Sequence, residues 1–275
     1  MARYAPVVPL DIAEGMLHHS QGDILGGYHL LLAHDVILRP AKYRLLYGPD
    51  SAVRRRHPDS FIIMDNSIVE LGESVTIGQL LDACEIVRPD CLVIPDCMGA
   101  GEKTRQRFYS FIHEWSSIAR VRRAESSYCP ELMGVLQGNG VEDVMNTYLH
   151  MSESCCVMWY AVPRVYAQMY GSRMEVVTRL SGLVDGIHLL GFSDDLLDDV
   201  SCARMPHVMG IDSAVPVRAA MQKQQLNLNH NEDYGKRGDF WERTMPDIHT
   251  QTYYQIATNV VQYREWIKPR TSQLG

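Results

Sequence analysis

The feature that most constrains this chain is a regular succession of short, continuous apolar runs, most of them ending on a polar residue or glycine. Six are clear: Phe61–Asp65 (FIIMD), Cys91–Asp96 (CLVIPD), Leu132–Gln137 (LMGVLQ), Cys155–Val162 (CCVMWYAV), Gly186–Gly191 (GIHLLG) and His207–Asp212 (HVMGID). An earlier run, His29–Leu38, reads as the first strand of the series. Runs of this length without polar alternation suit strands buried on both faces, as in a parallel sheet. Helical spacing separates them. Ile77, Leu80, Leu81, Cys84 and Val87 share one helix face, and Thr76 with Gln79 forms a capping box at its start. Further faces are Phe108, Phe111, Ile112, Trp115 and Ala119; Val141, Val144, Met145 and Tyr148; Leu196, Leu197 and Val200; and a last helix through Tyr253, Ile256, Ala257, Val260 and Val261.

From Asp65 to Asp212 there are 147 residues over five such steps, or about 29 per step, close to the roughly 30 of a strand with its crossover helix. Repeated βα units close into a barrel or spread as a doubly wound sheet. The glycine-rich nucleotide fingerprints of the open sheet are missing after the early strands. The expectation is therefore an α/β chain forming one (β/α)8 TIM barrel over residues 1–275, ending in an irregular polar excursion, Gln222 to Thr258, and a final helix. At 275 residues, with 46% hydrophobic and 21% charged side chains, the chain can bury such a core, and its composition excludes a disordered or disulfide-framework protein.

Charge and cysteine content bear on partners and compartment. The formal charge of −7 argues against a surface that grips a polyanion everywhere and calls for a local basic patch. Seven cysteines, an odd number, and a Met1–Leu10 segment interrupted by Arg3, Pro6 and Pro9 lead to the expectation of reduced thiols, no secretory leader, no membrane partner and a cytoplasmic location.

In a βα barrel the strands' C-terminal ends open onto one mouth, which here collects Asp65, Asp96, Gln137 and Asp212. Three carboxylates and an amide ending buried strands are costly unless the site uses them. Each one alone serves equally well as a helix cap or turn former. Paired carboxylates suit chemistry at an anomeric carbon, one attacking and the other moving protons, and their spacing leaves O- and N-glycosidic bonds equally open.

The segment Asp212-Ser213-Ala214-Val215-Pro216-Val217-Arg218 resembles the nucleophile segment of the tRNA-guanine transglycosylase family, Asp-Cys-Val-x-Pro-Thr-Arg. Other motifs resemble the family's in the same order. Met64-Asp65-Asn66-Ser67 is similar to its Asp-Ser-Gly-Gly turn, Ile94-Pro95-Asp96 to its base-recognition segment, and Gly134-Val135-Leu136-Gln137-Gly138 to its Val-Gln-Gly. Tyr160-Ala161-Val162 stands where the family has Gly-Leu-Ala-Val-Gly, and His188-Leu189-Leu190-Gly191 where it has a short strand before the nucleophile. The likeness spans residues 61 to 220. It departs from the family in having Asn66-Ser67 for the double glycine, Pro163-Arg164 for Gly-Glu, and no cysteine after Cys202 to build the family's structural zinc cluster.

The resemblance implies base exchange on a nucleic acid. Asp212 would be the nucleophile at C1′ and Asp65 the proton shuttle. Asp96 and Gln137 would read the guanine edge, with Gly138, Val162 and Gly191 completing the base pocket. The expected partners are DNA, presented as a flipped or single-stranded guanosine, and a free 7-deazaguanine base such as 7-cyano-7-deazaguanine. No cofactor and no metal are expected. Zinc-free members resemble the DNA guanine transglycosylases of bacteriophages and bacterial modification systems, which protect DNA from restriction; a phage-encoded member would work in the host cytoplasm. A transfer-RNA enzyme and a non-catalytic binding subunit of the same barrel are the alternatives, and the oligomeric state, monomer or homodimer, stays open.

For phosphate contact the expected residues are Lys103, Arg105 and Arg107, directly after a strand of the catalytic face, together with Arg218 of the nucleophile segment. Other basic clusters are Arg54-Arg55-Arg56-His57, Arg120 with Arg122 and Arg123, and Lys236-Arg237. Tyr234, Phe240 and Trp241 in the late excursion are candidates for stacking on bases.

Overall fold

A computed structural model describes residues 1–18, 22–124, 128–228 and 250–269. Eight parallel strands form one sheet in which, from the second strand onward, each pairs with the next in sequence and the last pairs with the first. They are β1 (Arg3–Pro6), β2 (Tyr28–Leu32), β3 (Phe61–Asp65), β4 (Cys91–Val93), β5 (Glu131–Val135), β6 (Val157–Pro163), β7 (Ile187–Leu190) and β8 (Val208–Ser213). β1 pairs with β8 in register, Ala5 opposite Asp212. β1 and β2 stand side by side without a hydrogen-bonded ladder, so the barrel is nearly closed. This is the single (β/α)8 barrel that the repeat of about 29 residues predicts.

Both faces of the strands are buried, as their apolar runs require. Inward-pointing residues, among them Ala5, Tyr28, Ile63, Val93, Met133, Val135 and Ala161, fill the barrel. Their chain neighbours, such as Ile62, Met64, Leu92, Val162 and Leu189, point outward into a larger layer beneath the helices. The alternation fixes which strand residues can reach the mouth. Phe61 and Ile63 point inward, so Asp65 at the end of β3 does too.

The helices follow their apolar faces. The helix Ile77–Val87 begins with the Thr76 and Gln79 capping box, and Leu80, Ala83, Cys84 and Val87 are its buried residues. Gly101–Ala124 buries Phe108, Phe111, Trp115 and Ala119; Val141–Ser152 buries Val144, Tyr148 and Met151. In Leu196–Ala203 the buried side includes Leu196 and Val200, while Leu197 faces solvent. The final helix, Thr250–Ile267, packs Tyr253, Ile256, Val260 and Tyr263 into the layer around the strands.

The start of the chain departs from expectation. Arg3–Pro6 is the first strand, and His29–Leu38 is not one strand but the second strand plus a helix, Ala33–Leu38. The apolar run continues across that junction, so hydrophobicity alone does not mark the break. β6 begins at Val157, after Cys155 adopts a left-handed turn conformation. Of the predicted late excursion, residues 229–249 lie outside the described residues, and with them Tyr234, Lys236, Arg237, Phe240 and Trp241. Among the described residues no helix is long and apolar enough to cross a membrane, and all seven cysteines are free thiols.

Candidate active site

A cavity with about 970 Å³ of empty space, part of it open to solvent, lies at the C-terminal mouth of the barrel. Asp65, Asp96, Gln137, Gly191, Asp212 and Arg218 all line it, so six of the expected site residues meet in one place. Gly138 and Val162 do not. The Val162 side chain belongs to the outer core. Gly138 is fixed by packing instead, since a Cβ there would lie 2.6 Å from the Val144 backbone nitrogen.

Asp65 is buried at the end of β3, and its Oδ2 accepts from the Ser67 backbone N–H at 2.8 Å. Ser67 holds a left-handed φ of 64°, uncommon for a residue with a side chain. Burial pushes the Asp65 carboxyl well above the usual carboxylate range, and the charges of Glu70, Asp96 and Asp212 add to the shift. Asp65 is thus suited to carry a proton where an exposed aspartate would have lost it.

Asp96, 2% exposed, is gripped from two sides. Asn66 Nδ2 donates to its Oδ1 at 2.8 Å and Gln137 Nε2 donates to its Oδ2 at 2.7 Å. Asn66 also donates to the Ile94 carbonyl at 3.0 Å and accepts from Ile68 N at 3.0 Å. It therefore ties the ends of β3 and β4 together. Gln137 is oriented in turn by the Gly99 N–H, 2.9 Å from its Oε1. Burial raises Asp96, while Asn66, Gln137 and the nearby Arg107 pull it back down. Each carboxylate oxygen can accept twice, so the outer lone pairs of Asp96 stay open to a ligand's N–H groups.

Asp212 on β8 presents an asymmetric carboxylate. Its Oδ1 accepts from the Gly191 N–H at 2.9 Å and lies 3.0 Å from His188 Nε2. Among the described residues no donor is bonded to its Oδ2. Gly191 has a φ of +74°, which glycine adopts without strain. Its loop is held from behind by Arg173, a side chain with no exposed surface that donates to the carbonyls of Val162 at 3.3 Å and Gly191 at 3.1 Å and pairs with Asp199. Asp199 also accepts from Ser193 Oγ at 2.5 Å. Burial pushes Asp199 up to about 6, so it is ionised at neutral pH opposite its guanidinium.

The expected phosphate-binding residues divide. Arg218 lines the cavity together with Arg164. Lys103 is exposed on the helix that follows β4. Arg105 is paired with Asp143 at 2.8 Å and donates to Thr147 Oγ1 at 3.0 Å, which joins two helices. Arg107 donates to the Asp96 backbone carbonyl, so it braces the loop that carries Asp96. The Arg54–Arg56 cluster and Arg120 with Arg122 precede β3 and β5, at the end of the barrel away from the mouth.

Asn66, Tyr28, His188 as a partner of Asp212, and the Arg173–Asp199 pair are not apparent as site residues in the sequence. Inward parity on β2 and β7 could have pointed to Tyr28 and His188; nothing local marks Arg173. Among the described residues no cluster of His, Cys, Asp or Glu is arranged to hold a metal ion. No protein-family model matches this chain, and no curated protein matches its sequence.

Proposed function

We propose that this protein is a DNA guanine transglycosylase that exchanges guanine for a 7-deazaguanine base through a covalent glycosyl–aspartate. The observation that carries this reading is the meeting of Asp65, Asp212 and the Asp96–Gln137 pair in one cavity at the barrel mouth. The likeness of the surrounding motifs to the transglycosylase family supplies the identity of the base. Asp212 Oδ2 attacks C1′ while the C1′–N9 bond breaks, and Asp65 gives its proton to N9 of the leaving guanine. In the return step N9 of the incoming base attacks C1′, its proton passes to Asp65, and the C1′–oxygen bond to Asp212 breaks. Two inversions retain the configuration.

Asp96 accepts from the N1–H and N2–H groups of the base, and the second N–H of Gln137 donates to O6. Among the described residues the cavity wall carries five carboxylates, Asp65, Glu70, Asp96, Asp194 and Asp212, against two guanidinium groups, Arg164 and Arg218. Such a wall accepts a donor-rich heterocycle and repels phosphate. The nucleotide therefore enters base first, with its phosphates left at the rim near Arg164 and Arg218.

The test is nucleoside analysis after incubating the protein with guanine-labelled duplex DNA, single-stranded DNA or transfer RNA and 7-cyano-7-deazaguanine. Release of guanine and incorporation of the deazapurine into DNA are expected, with a protein–DNA adduct that Asp212→Ala abolishes. Exchange confined to transfer RNA would replace the DNA reading. Exchange that continues at the normal rate in Asp212→Ala would overturn the mechanism.

A further inference from the structure

Beneath the mouth, inside the barrel, a line of polar groups leads to Asp212. His188 has no exposed surface and does not line the cavity, so it cannot touch a substrate. Its Nε2 is 3.0 Å from Asp212 Oδ1, and its Nδ1 is 2.9 Å from the hydroxyl of Tyr28, itself 2% exposed. The three residues come from β7, β8 and β2 and all point inward.

The chemistry of the partners orders the protons. An ionised carboxylate only accepts, so Nε2 carries a hydrogen toward Asp212, and Nδ1 is then an acceptor for the Tyr28 hydroxyl. The opposite ring tautomer would leave Asp212 facing a lone pair and Tyr28 facing an N–H.

The barrel is shaped around this line. Gly210, beside Asp212 on β8, has no Cβ; one placed there would lie 2.2 Å from the Tyr28 hydroxyl and 2.4 Å from its ring. The Arg3 guanidinium, on the strand paired with Gly210, sits 4.5 Å from the centre of the Tyr28 ring and 5.0 Å from that of Phe61, which itself stacks on Tyr28 at 5.8 Å. Tyr28 is thus confined by Gly210, Arg3 and Phe61, with its hydroxyl in hydrogen-bond contact with His188.

Building on the transglycosylase reading, we infer that Tyr28 and His188 form a positioning pair for the nucleophile: together with the Gly191 N–H they occupy Oδ1 of Asp212 and leave Oδ2 as the atom that attacks. Neither residue is a catalytic residue. They act through the orientation of Asp212, and a displacement of about 1 Å at a reacting atom costs on the order of 100-fold in rate.

Two measurements test the pair. Nitrogen-15 NMR of histidine side chains, with residue 188 assigned by the signal missing from His188→Gln, is expected to show a proton on Nε2 and none on Nδ1. A proton on Nδ1 overturns the donor order. Single-turnover guanine release is the second. His188→Leu is expected to lose about 100-fold in the rate of adduct formation with KM for DNA unchanged. His188→Gln, which keeps an N–H donor, should recover part of that loss. Tyr28→Phe, which removes one oxygen and keeps the ring packing, is expected to lose about tenfold, and it serves as the test if the Leu variant fails to fold. Equal losses in Leu and Gln, or rates within twofold of wild type in Tyr28→Phe, overturn the inference. Wild-type protein that exchanges no base refutes the transglycosylase reading instead, and the NMR measurement still decides the proton order.

Discussion

Replacing Arg173 with methionine removes a guanidinium that has no exposed surface while keeping an unbranched chain of similar length. What is lost is specific. Asp199, also fully buried, loses its charge partner, and the carbonyls of Val162 and Gly191 each lose a donor. Breaking one half of a buried ion pair costs about 3–5 kcal/mol, because the remaining charge is left uncompensated. The cost must depend on pH. With Arg173 present the Asp199 carboxyl stands at about 6, raised by burial and lowered by the guanidinium; without it the carboxyl moves higher. A carboxyl raised in the folded state keeps its stability contribution below the unfolded value of about 3.9 and loses it as pH rises through the folded value. The variant should therefore be most destabilised near pH 8 and recover as Asp199 takes up a proton toward pH 5.5. Urea unfolding followed by circular dichroism at both pH values measures this. Arg173→Met/Asp199→Asn, with no buried charge left, should regain more than half of the pH 8 loss and show little pH dependence. A loss below 1 kcal/mol at pH 8, or one of equal size at pH 5.5, refutes the reasoning.

Two further outcomes are expected. If Asp65 donates the proton to the leaving base, its raised pKa keeps it protonated to higher pH than an ordinary aspartate, and kcat/KM falls as pH climbs through the raised value; Asp65→Asn should lower the rate by about 10²–10⁴-fold and abolish that limb. A surviving alkaline limb in Asp65→Asn would assign it to another group. His29 is buried against Tyr47 with its Nε2 unpartnered, and burial lowers it to about 3. Its contribution is present above the unfolded value of about 6.5 and is lost as pH falls toward 3, about 2 kcal/mol by pH 5. His29→Phe should remove that acid sensitivity from the urea midpoint, and an unchanged loss between pH 7.5 and 5 counts against it.

Six of the eight strands, β3 to β8, are legible in the sequence because each is an apolar run long enough to be buried on both faces and most stop at a polar group. β1 is not, since Arg3–Pro6 contains an arginine and a proline in four residues and owes its extended form to the ladder with β8. Asp65, Asp96, Gln137 and Asp212 are legible for a related reason: a carboxylate or amide at the end of a buried strand stands out against its apolar run. Their supporting residues do not. Asn66 looks like a turn former, Tyr28 and His188 look like members of apolar strands, and Arg173 looks like a surface cation. What makes each of them part of the site is a contact between 18 and 160 positions away, between elements that meet only when the barrel closes. Arg105 and Arg107 show the converse. Their place after β4 suggests phosphate binding, whereas in the fold both guanidinium groups are engaged in internal contacts.

The side-by-side placing of β1 and β2 makes the barrel a split ring rather than a hoop. Seven of its joints are fastened by backbone hydrogen-bond ladders, and the eighth, between β1 and β2, has none among the described residues. Val7, just beyond β1, and Leu30 and Leu32 on β2 border it and also line the cavity. Asp96 and Gln137 follow β4 and β5, each of which is hydrogen-bonded on both sides. In the proposed transglycosylase reading, the groups assigned to the base edge therefore stand on the hydrogen-bonded arc, and the unlaced joint borders another part of the same cavity.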